Sequence, residues 1–391
     1  MTKRIGIIGN GVAGLQLAYA LKQEFDVTLH HYEDPADIRQ GRIRSTQVHF
    51  HPAVERAQRM PAVDEAPLIQ TIHFSMGAQK LFVGRLAGPA KSVDQRLAFA
   101  AGMSDLMRQG VVFRKDRVMP NEIGSLAETY DLLIDATGKA GPLFPFPVEQ
   151  ELTPLQSPQR KCIVGYFTGV SPVAPAGVSI TVLPGAGELF EIPAYTEKGP
   201  VTILFIEAVP EGPLDAFKGI KSAPDFEERM RATVQQHFPA IEARIHAEHF
   251  ALVDHGAYLQ TAITPVVRRP YAMHDDKLIL GCGDSVILAD PITGQGCNTA
   301  SYCAEQLVAT LLEHQESPWD EQVGLAYWSR IRPYVAAVTD WTNAMLGPMP
   351  GHIVQLLMQA AGDQETADRI AHWFEQPSSA YAAFFQSSER S

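Results

Sequence analysis

The chain has 391 residues, 46% hydrophobic and 19% charged, a composition that supports a sizeable core and excludes a disordered or low-complexity protein. Its formal net charge of −12 argues against nucleic acid as a partner and against adsorption to an anionic membrane. The four cysteines, Cys162, Cys282, Cys297 and Cys303, form no CxxC pair, which fits a reducing cytoplasm better than a disulfide framework.

In chain order, Arg4 to Ile8 is a short apolar strand, too short for a signal peptide, followed by glycines and a helix with Ala13, Leu17, Ala20 and Leu21 on one face. Asp26 to Tyr32 reads as a second strand, completing a βαβ start. A helix over Ser92 to Gln109, a strand over Val111 to Val118 and another over Asp131 to Asp135 extend the alternation. From Cys162 to Val209, strands separated by Pro and Gly turns indicate an antiparallel sheet, and the uncharged run within it is no membrane helix. Asp225 to His249 reads as helical, Lys277 to Leu280 as a buried strand, and Cys297 to His314 as a helix. After Trp319 the pattern is helical, broken at Pro348, Pro350 and Pro377. The expected architecture is α/β. Segments 1–70, 92–150 and 269–317 form a Rossmann-like nucleotide-binding domain, and segments 71–91 and 151–268 an inserted antiparallel substrate domain. A helical extension follows at 318–391.

Two motifs carry chemistry. Gly9-Asn-Gly11-Val-Ala-Gly14 matches GxGxxG between a strand and a helix. There the glycines allow a tight turn, close approach of a pyrophosphate and helix–strand packing, and the helix N-terminus attracts phosphate. Glu33, with Asp34 as its competitor, ends the second strand where a carboxylate accepts ribose hydroxyls. The second motif runs from Gly281 through Asp284 and Pro291 to Gly294, Gly296 and Asn298. Asp284 can bond ribityl hydroxyls of a flavin, while bare N–H groups at Gly294 and Gly296 reach its N1–C2=O edge at a helix N-terminus. His49 and His51, two apart on an expected strand, lack a third ligand, so no metal is expected. Ser45 lacks a nucleophile-elbow context.

These motifs, with Ala136-Thr137-Gly138 and Ser92-Val-Asp-Gln-Arg96-Leu, resemble flavoprotein monooxygenases of the para-hydroxybenzoate-hydroxylase-like fold. The resemblance is closest to the two-component styrene and indole monooxygenases, through Gly187-Glu-Leu-Phe-Glu-Ile-Pro193, Asp290-Pro-Ile-Thr-Gly-Gln-Gly296, Ala300-Ser-Tyr302 and Trp341-Thr-Asn343. It implies that Arg42 and Arg96 approach the FAD phosphates and that the main chain near Val118 meets the adenine. It also implies that oxygen is transferred from a flavin C4a-hydroperoxide in a largely apolar pocket bordered by Pro291, with no side chain acting as acid, base or nucleophile. The strand entering Gly165 lacks the Asp-Gly motif of single-component relatives, so a separate NADH:FAD oxidoreductase is the expected source of reduced FAD. A flavin-linked reductase and a non-catalytic flavin-binding protein are the competing readings.

The same resemblance bears on substrate. Ser45, Gln47, Ile69, Ile72 and Ala90 fall at pocket positions where they follow the indole branch, while His49 follows the styrene branch. Gln47 or the Ser45 hydroxyl can accept the indole N–H, which would otherwise be stranded in an apolar pocket at a cost of about 1–3 kcal/mol. The expected reaction is epoxidation of indole across C2=C3, leading to indoxyl and indigo, with styrene as the alternative substrate.

Overall fold

The apolar run Arg4–Ile8 becomes an inner strand of a six-stranded sheet in the computed structural model, which describes residues 2–386. Across the sheet the order is Tyr271–His274, Lys277–Gly281, Leu132–Asp135, Arg4–Ile8, Asp26–His31 and Val112–Lys115. All pairings are parallel except the edge strand Tyr271–His274. Helices cover the sheet, so its central strands are apolar along their length rather than alternating. The helices Val12–Leu21 and Gly296–Glu313 share one apolar cluster with these strands.

The inserted sheet has eight strands. Its pairings are antiparallel with one exception, the parallel pair of Leu68–Met76 with Gly177–Leu183. The chain between those two strands returns through the six-stranded sheet, a crossover long enough to permit parallel entry. One face of this sheet packs on the helix Ala223–His237. The other meets the C-terminal helices and the Pro291–Thr293 turn in a second cluster.

The strand Gln79–Lys91 lies at the sheet edge, yet three of its N–H groups are capped by carboxylates. Arg85 N donates to Asp368 Oδ1 at 2.8 Å, and Ala87 N and Gly88 N donate to the Glu375 carboxylate at 2.7 and 3.0 Å. The helix Gln364–Ala371 approaches so closely that a Cβ on Gly84 would lie 2.2 Å from the Ala367 carbonyl oxygen.

Several expected boundaries move. The helix expected to His249 ends at His237, because Pro239 drives Phe238 out of the helical region, to φ −131° and ψ 66°; a short helix Pro239–Glu242 and turns follow. The strand expected over Val111 to Val118 contracts to Val112–Lys115, leaving Val118 in a loop. His49 and His51 do not share a strand. His49 makes one isolated bridge to Lys91, and His51 starts the helix His51–Arg56 with Pro52 in its first turn. The tail forms the helices Glu321–Leu346, Gly351–Ala360, Gln364–Ala371 and Pro377–Tyr381, with breaks at the expected prolines. No described helix is long and apolar enough to cross a membrane.

Candidate functional site

Four parallel strands end on one side of the first sheet, and both motifs leave from those carboxyl ends. Gly9 follows Ile8, Glu33 follows His31, Thr137 follows Asp135 and Asp284 follows Gly281. A crevice at the carboxyl ends of a parallel sheet is where doubly wound folds bind nucleotides.

The glycines divide by task. Gly9 has φ +116°, and a Cβ there would lie 2.2 Å from the Ala136 carbonyl oxygen; one on Gly14 would lie 2.0 Å from the Gly9 oxygen. Both are required by packing. A Cβ on Gly11 would meet no protein atom within 4 Å, so its backbone is bare toward the crevice. In the second motif Gly294 is left-handed at φ +64°, and a Cβ on Gly296 would find only Asp284 Oδ1 at 3.9 Å. These two bare stretches of backbone fit the pyrophosphate and isoalloxazine ends of a FAD.

The charged groups fit it as well. Asp34 is occupied as the N-cap of the helix Pro35–Gln40 and as a partner of Lys115, which leaves Glu33, at the end of the second strand, as the better placed carboxylate for a ribose. Glu33 is paired with Arg44, and the Arg44 carbonyl oxygen accepts from Lys139 Nζ at 2.7 Å. Burial pushes the Asp284 carboxyl up to about 6 against the opposing pull of Lys139. Asp284 accepts no hydrogen bond among the described residues.

Arg44 and Lys139 had no motif to mark them in the sequence. They stand between the Glu33 and Asp284 ends of the crevice through loop contacts that only the fold creates.

Arg96 occupies a different position from the one expected. Its Nε and both terminal nitrogens donate to Asp94, Asp254 and the Gly41 carbonyl oxygen. Those bonds use its five N–H groups, so the guanidinium is a buried tie with no donor left for phosphate. Arg42 is less committed, with one 3.3 Å bond to the Tyr258 hydroxyl and its guanidinium over that ring. A cleft of about 330 Å³ lies beside Arg39, Arg96, Lys198 and Asp254 and touches none of the expected pocket positions.

Asn298 is also a tie. Its Oδ1 accepts from Phe50 N at 3.0 Å, and its Nδ2 donates to the carbonyl oxygens of Val48 and Gly294, both at 2.9 Å. Both amide hydrogens are thus spent on joining the 48–50 segment to the second glycine loop.

That junction brings the expected substrate positions beside the loop. Ile69, Ile72 and Ala90 are fully buried in one apolar cluster with Val48, Phe50 and Ile292, and Ile69 pairs directly with Ala90. Gln47 is buried; its Nε2 reaches the Val93 oxygen at 3.4 Å, and its Oε1 accepts from Gln95 Nε2 at 3.2 Å. Gln95 is a further polar group of this wall that sequence reasoning missed, since it stands in the first turn of a helix. Ser45 is exposed and donates to the adjacent Thr46 oxygen at 3.0 Å. Burial lowers the His49 imidazole to about 4, and its Nε2 is enclosed without a partner. Pro291 opens the turn that Asp290 caps through Ile292 N at 3.1 Å. Val118 is half-buried against the nucleotide-domain core.

Comparison with known proteins identifies the family and the fold. Residues 138–244 match the family described as "Styrene monooxygenase A putative substrate binding domain". Styrene monooxygenase StyA from a Pseudomonas species is 32% identical, covering 96% of this chain and 94% of its own. StyA of Pseudomonas fluorescens is 31% identical with the same coverage. The flavin-dependent brominase Bmp2 superposes with a TM-score of 0.70 at 13% identity, covering 100% of this chain and 98% of its own, a likeness of fold. By its identity to StyA over nearly the full length, the chain belongs to the styrene and indole monooxygenase family of flavoprotein monooxygenases.

Proposed function

We propose that this monooxygenase epoxidises indole at C2=C3, taking reduced FAD from a separate NADH:FAD oxidoreductase in the cytoplasm. Reduced FAD supplies the activation of O2 and the transfer of one oxygen atom. The chain's residues bind, orient and exclude. Gly9, Gly11 and Gly14 take the pyrophosphate, Glu33 the ribose and Asp284 the ribityl chain. Arg42, Arg44 and Lys139 balance the phosphates, and Arg96 holds Gly41 beside them. The main chain near Val118 meets the adenine. Gly294 and Gly296 present N–H groups to the pyrimidine edge of the ring, and Pro291 borders its reacting side.

Ile69, Ile72 and Ala90 form the dry wall of the substrate pocket, which keeps water from the reacting oxygen. The observation that carries the substrate reading is Gln47, a buried amide oxygen among apolar residues with a lone pair beyond its bond to Gln95. It can accept the indole N–H, with the Ser45 hydroxyl as the alternative acceptor. Styrene, which has no such donor, is the second reading; it draws support from His49 and from the substrate named for the relatives.

The test combines purified chain, FAD, NADH, a flavin reductase and each substrate in air. We expect turnover only with the reductase present, a higher kcat/KM for indole, and blue colour in expressing cells fed tryptophan. A clearly higher kcat/KM for styrene would reject indole while leaving a monooxygenase. NADH oxidation by the chain alone would reject the need for a reductase.

A further inference from the structure

Behind the Pro291 turn lies a group of carboxyls that the reading above does not use. Glu207, on the strand Gly199–Ala208, and Asp290 are both 0% exposed. Both Glu207 carboxyl oxygens and Asp290 Oδ2 are enclosed with no protein donor to serve them. The remaining Asp290 oxygen is the one that caps Ile292 N. Across the sheet, Glu207 stands opposite Glu188 on one side and Cys162 on the other.

The guanidinium among them, Arg160, is already committed. It is held by both Glu188 oxygens, at 2.9 and 3.1 Å, and by the carbonyl oxygens of Gln159 and Leu346. Burial pushes the Cys162 thiol up, so it stays neutral, and Lys139 acts on Cys162 and Asp284. Two neighbouring buried carboxyls with no hydrogen-bond donor, whose nearby guanidinium Arg160 is already paired with Glu188, cannot both be ionised in a dry interior. One proton between them removes the conflict, turning a repulsion into a charge-assisted O–H···O bond.

We propose that Glu207 and Asp290 share a single proton, and that this pair is the positioning element that locks the Pro291–Gly294 turn onto the inserted sheet. Asp290 then works in two directions, with one oxygen holding the turn's own N–H and the other bound through the proton to the neighbouring domain. Burial and the facing Asp290 both hold Glu207 well above the usual carboxylate range, so the link persists at neutral pH. It fails as pH rises through the pair's titration, when the turn is pushed away from Glu207. The shared proton is independent of any ligand; the consequence for FAD rests on the reading of the Pro291–Gly296 loop as its ring site.

Infrared spectra of the FAD-free chain test the first part. At pH 8, above the value of Asp284, we expect the carbonyl stretch of a protonated carboxyl that disappears in Glu207→Gln and is lost or shifted in Asp290→Asn, where an amide replaces the oxygen that shares the proton, so one folded variant suffices. No such band in the unsubstituted chain, or a spectrum in this region identical between it and either folded variant, overturns the proposal. The pH profile of FAD affinity tests the positioning role. We expect the unsubstituted chain to lose affinity on the alkaline side by about tenfold, and Glu207→Gln, with a permanent donor, to hold its affinity there. Identical profiles overturn the positioning role, because a merely structural contact would shift both together. If the infrared band is present but FAD does not bind at any pH, the ring-site reading and the positioning role fall and the shared proton stands.

Discussion

Lys139 Nζ reaches the main-chain oxygen of Arg44 at 2.7 Å, joining the loop after one central strand to the segment that carries the partner of Glu33. The contact sets two cations along the crevice where the FAD phosphates would lie. Lys139→Met should therefore weaken FAD binding by about tenfold or more, the loss of one charge-assisted bond of roughly 1.5–3 kcal/mol. Fluorescence titration with FAD measures it, and the melting temperature of the FAD-free chain should change little, since Lys139 is exposed.

Asp284 gives a pH dependence with opposite signs for folding and for binding. Its folded value of about 6 lies above that of an unfolded carboxyl, so its contribution to folding is present at low pH and lost as pH rises through 6. Ribityl hydroxyls donate to the ionised form, so FAD affinity should rise over the same interval. Asp284→Ala should flatten both dependences and weaken FAD binding at pH 8 by roughly 1.5–3 kcal/mol. Unchanged affinity in that variant removes Asp284 from the site.

Gly9→Ala and Gly11→Ala separate the structural from the binding role of one motif. The first forces a Cβ to 2.2 Å from a carbonyl oxygen at positive φ and should unfold or strongly destabilise the chain. The second meets open space and should leave the FAD-free melting temperature nearly unchanged while weakening FAD binding. Thermal melts with and without FAD distinguish the two. A Gly11→Ala chain that binds FAD normally would falsify the pyrophosphate assignment.

Gln47→Val tests substrate choice. Removing the amide acceptor strands the indole N–H and should lower kcat/KM for indole by about 1–3 kcal/mol, leaving styrene unchanged or improved. Gln95 loses its partner in the same variant, so Gln95→Leu alone is the control for simple repacking. Steady-state rates with a saturating reductase give both numbers.

The strands that end in motifs were readable in the sequence because local rules determine them. A strand, three spaced glycines and an amphipathic helix specify the first crevice without any long-range information, and the same holds from Gly281 to the helix after Gly296. Arg96 shows where that legibility stops. The family resemblance implies a phosphate for it, but Asp254 lies far along the chain and only the folded sheet brings it to 2.9 Å. Asn298 likewise looked like a ligand contact until the fold supplied Val48 and Phe50 as partners. The helix expected beyond His237 failed for a local reason, since a proline two residues on outweighed the apolar spacing that continues past it.

The carboxylates of Asp368 and Glu375 on the outer N–H groups of Gln79–Lys91 bear on solubility. An uncovered edge of that length is a template for another strand, and chains that expose one self-associate. Removal of the C-terminal helices from Asp363 onward would therefore be read first as aggregation, before any loss of catalysis could be measured. Double substitution of Asp368 and Glu375 to neutral residues would reach the same end more slowly, by loosening the cover rather than deleting it. The helices from Gln364 onward thus stand where a strand from another copy would otherwise pair with the inserted sheet.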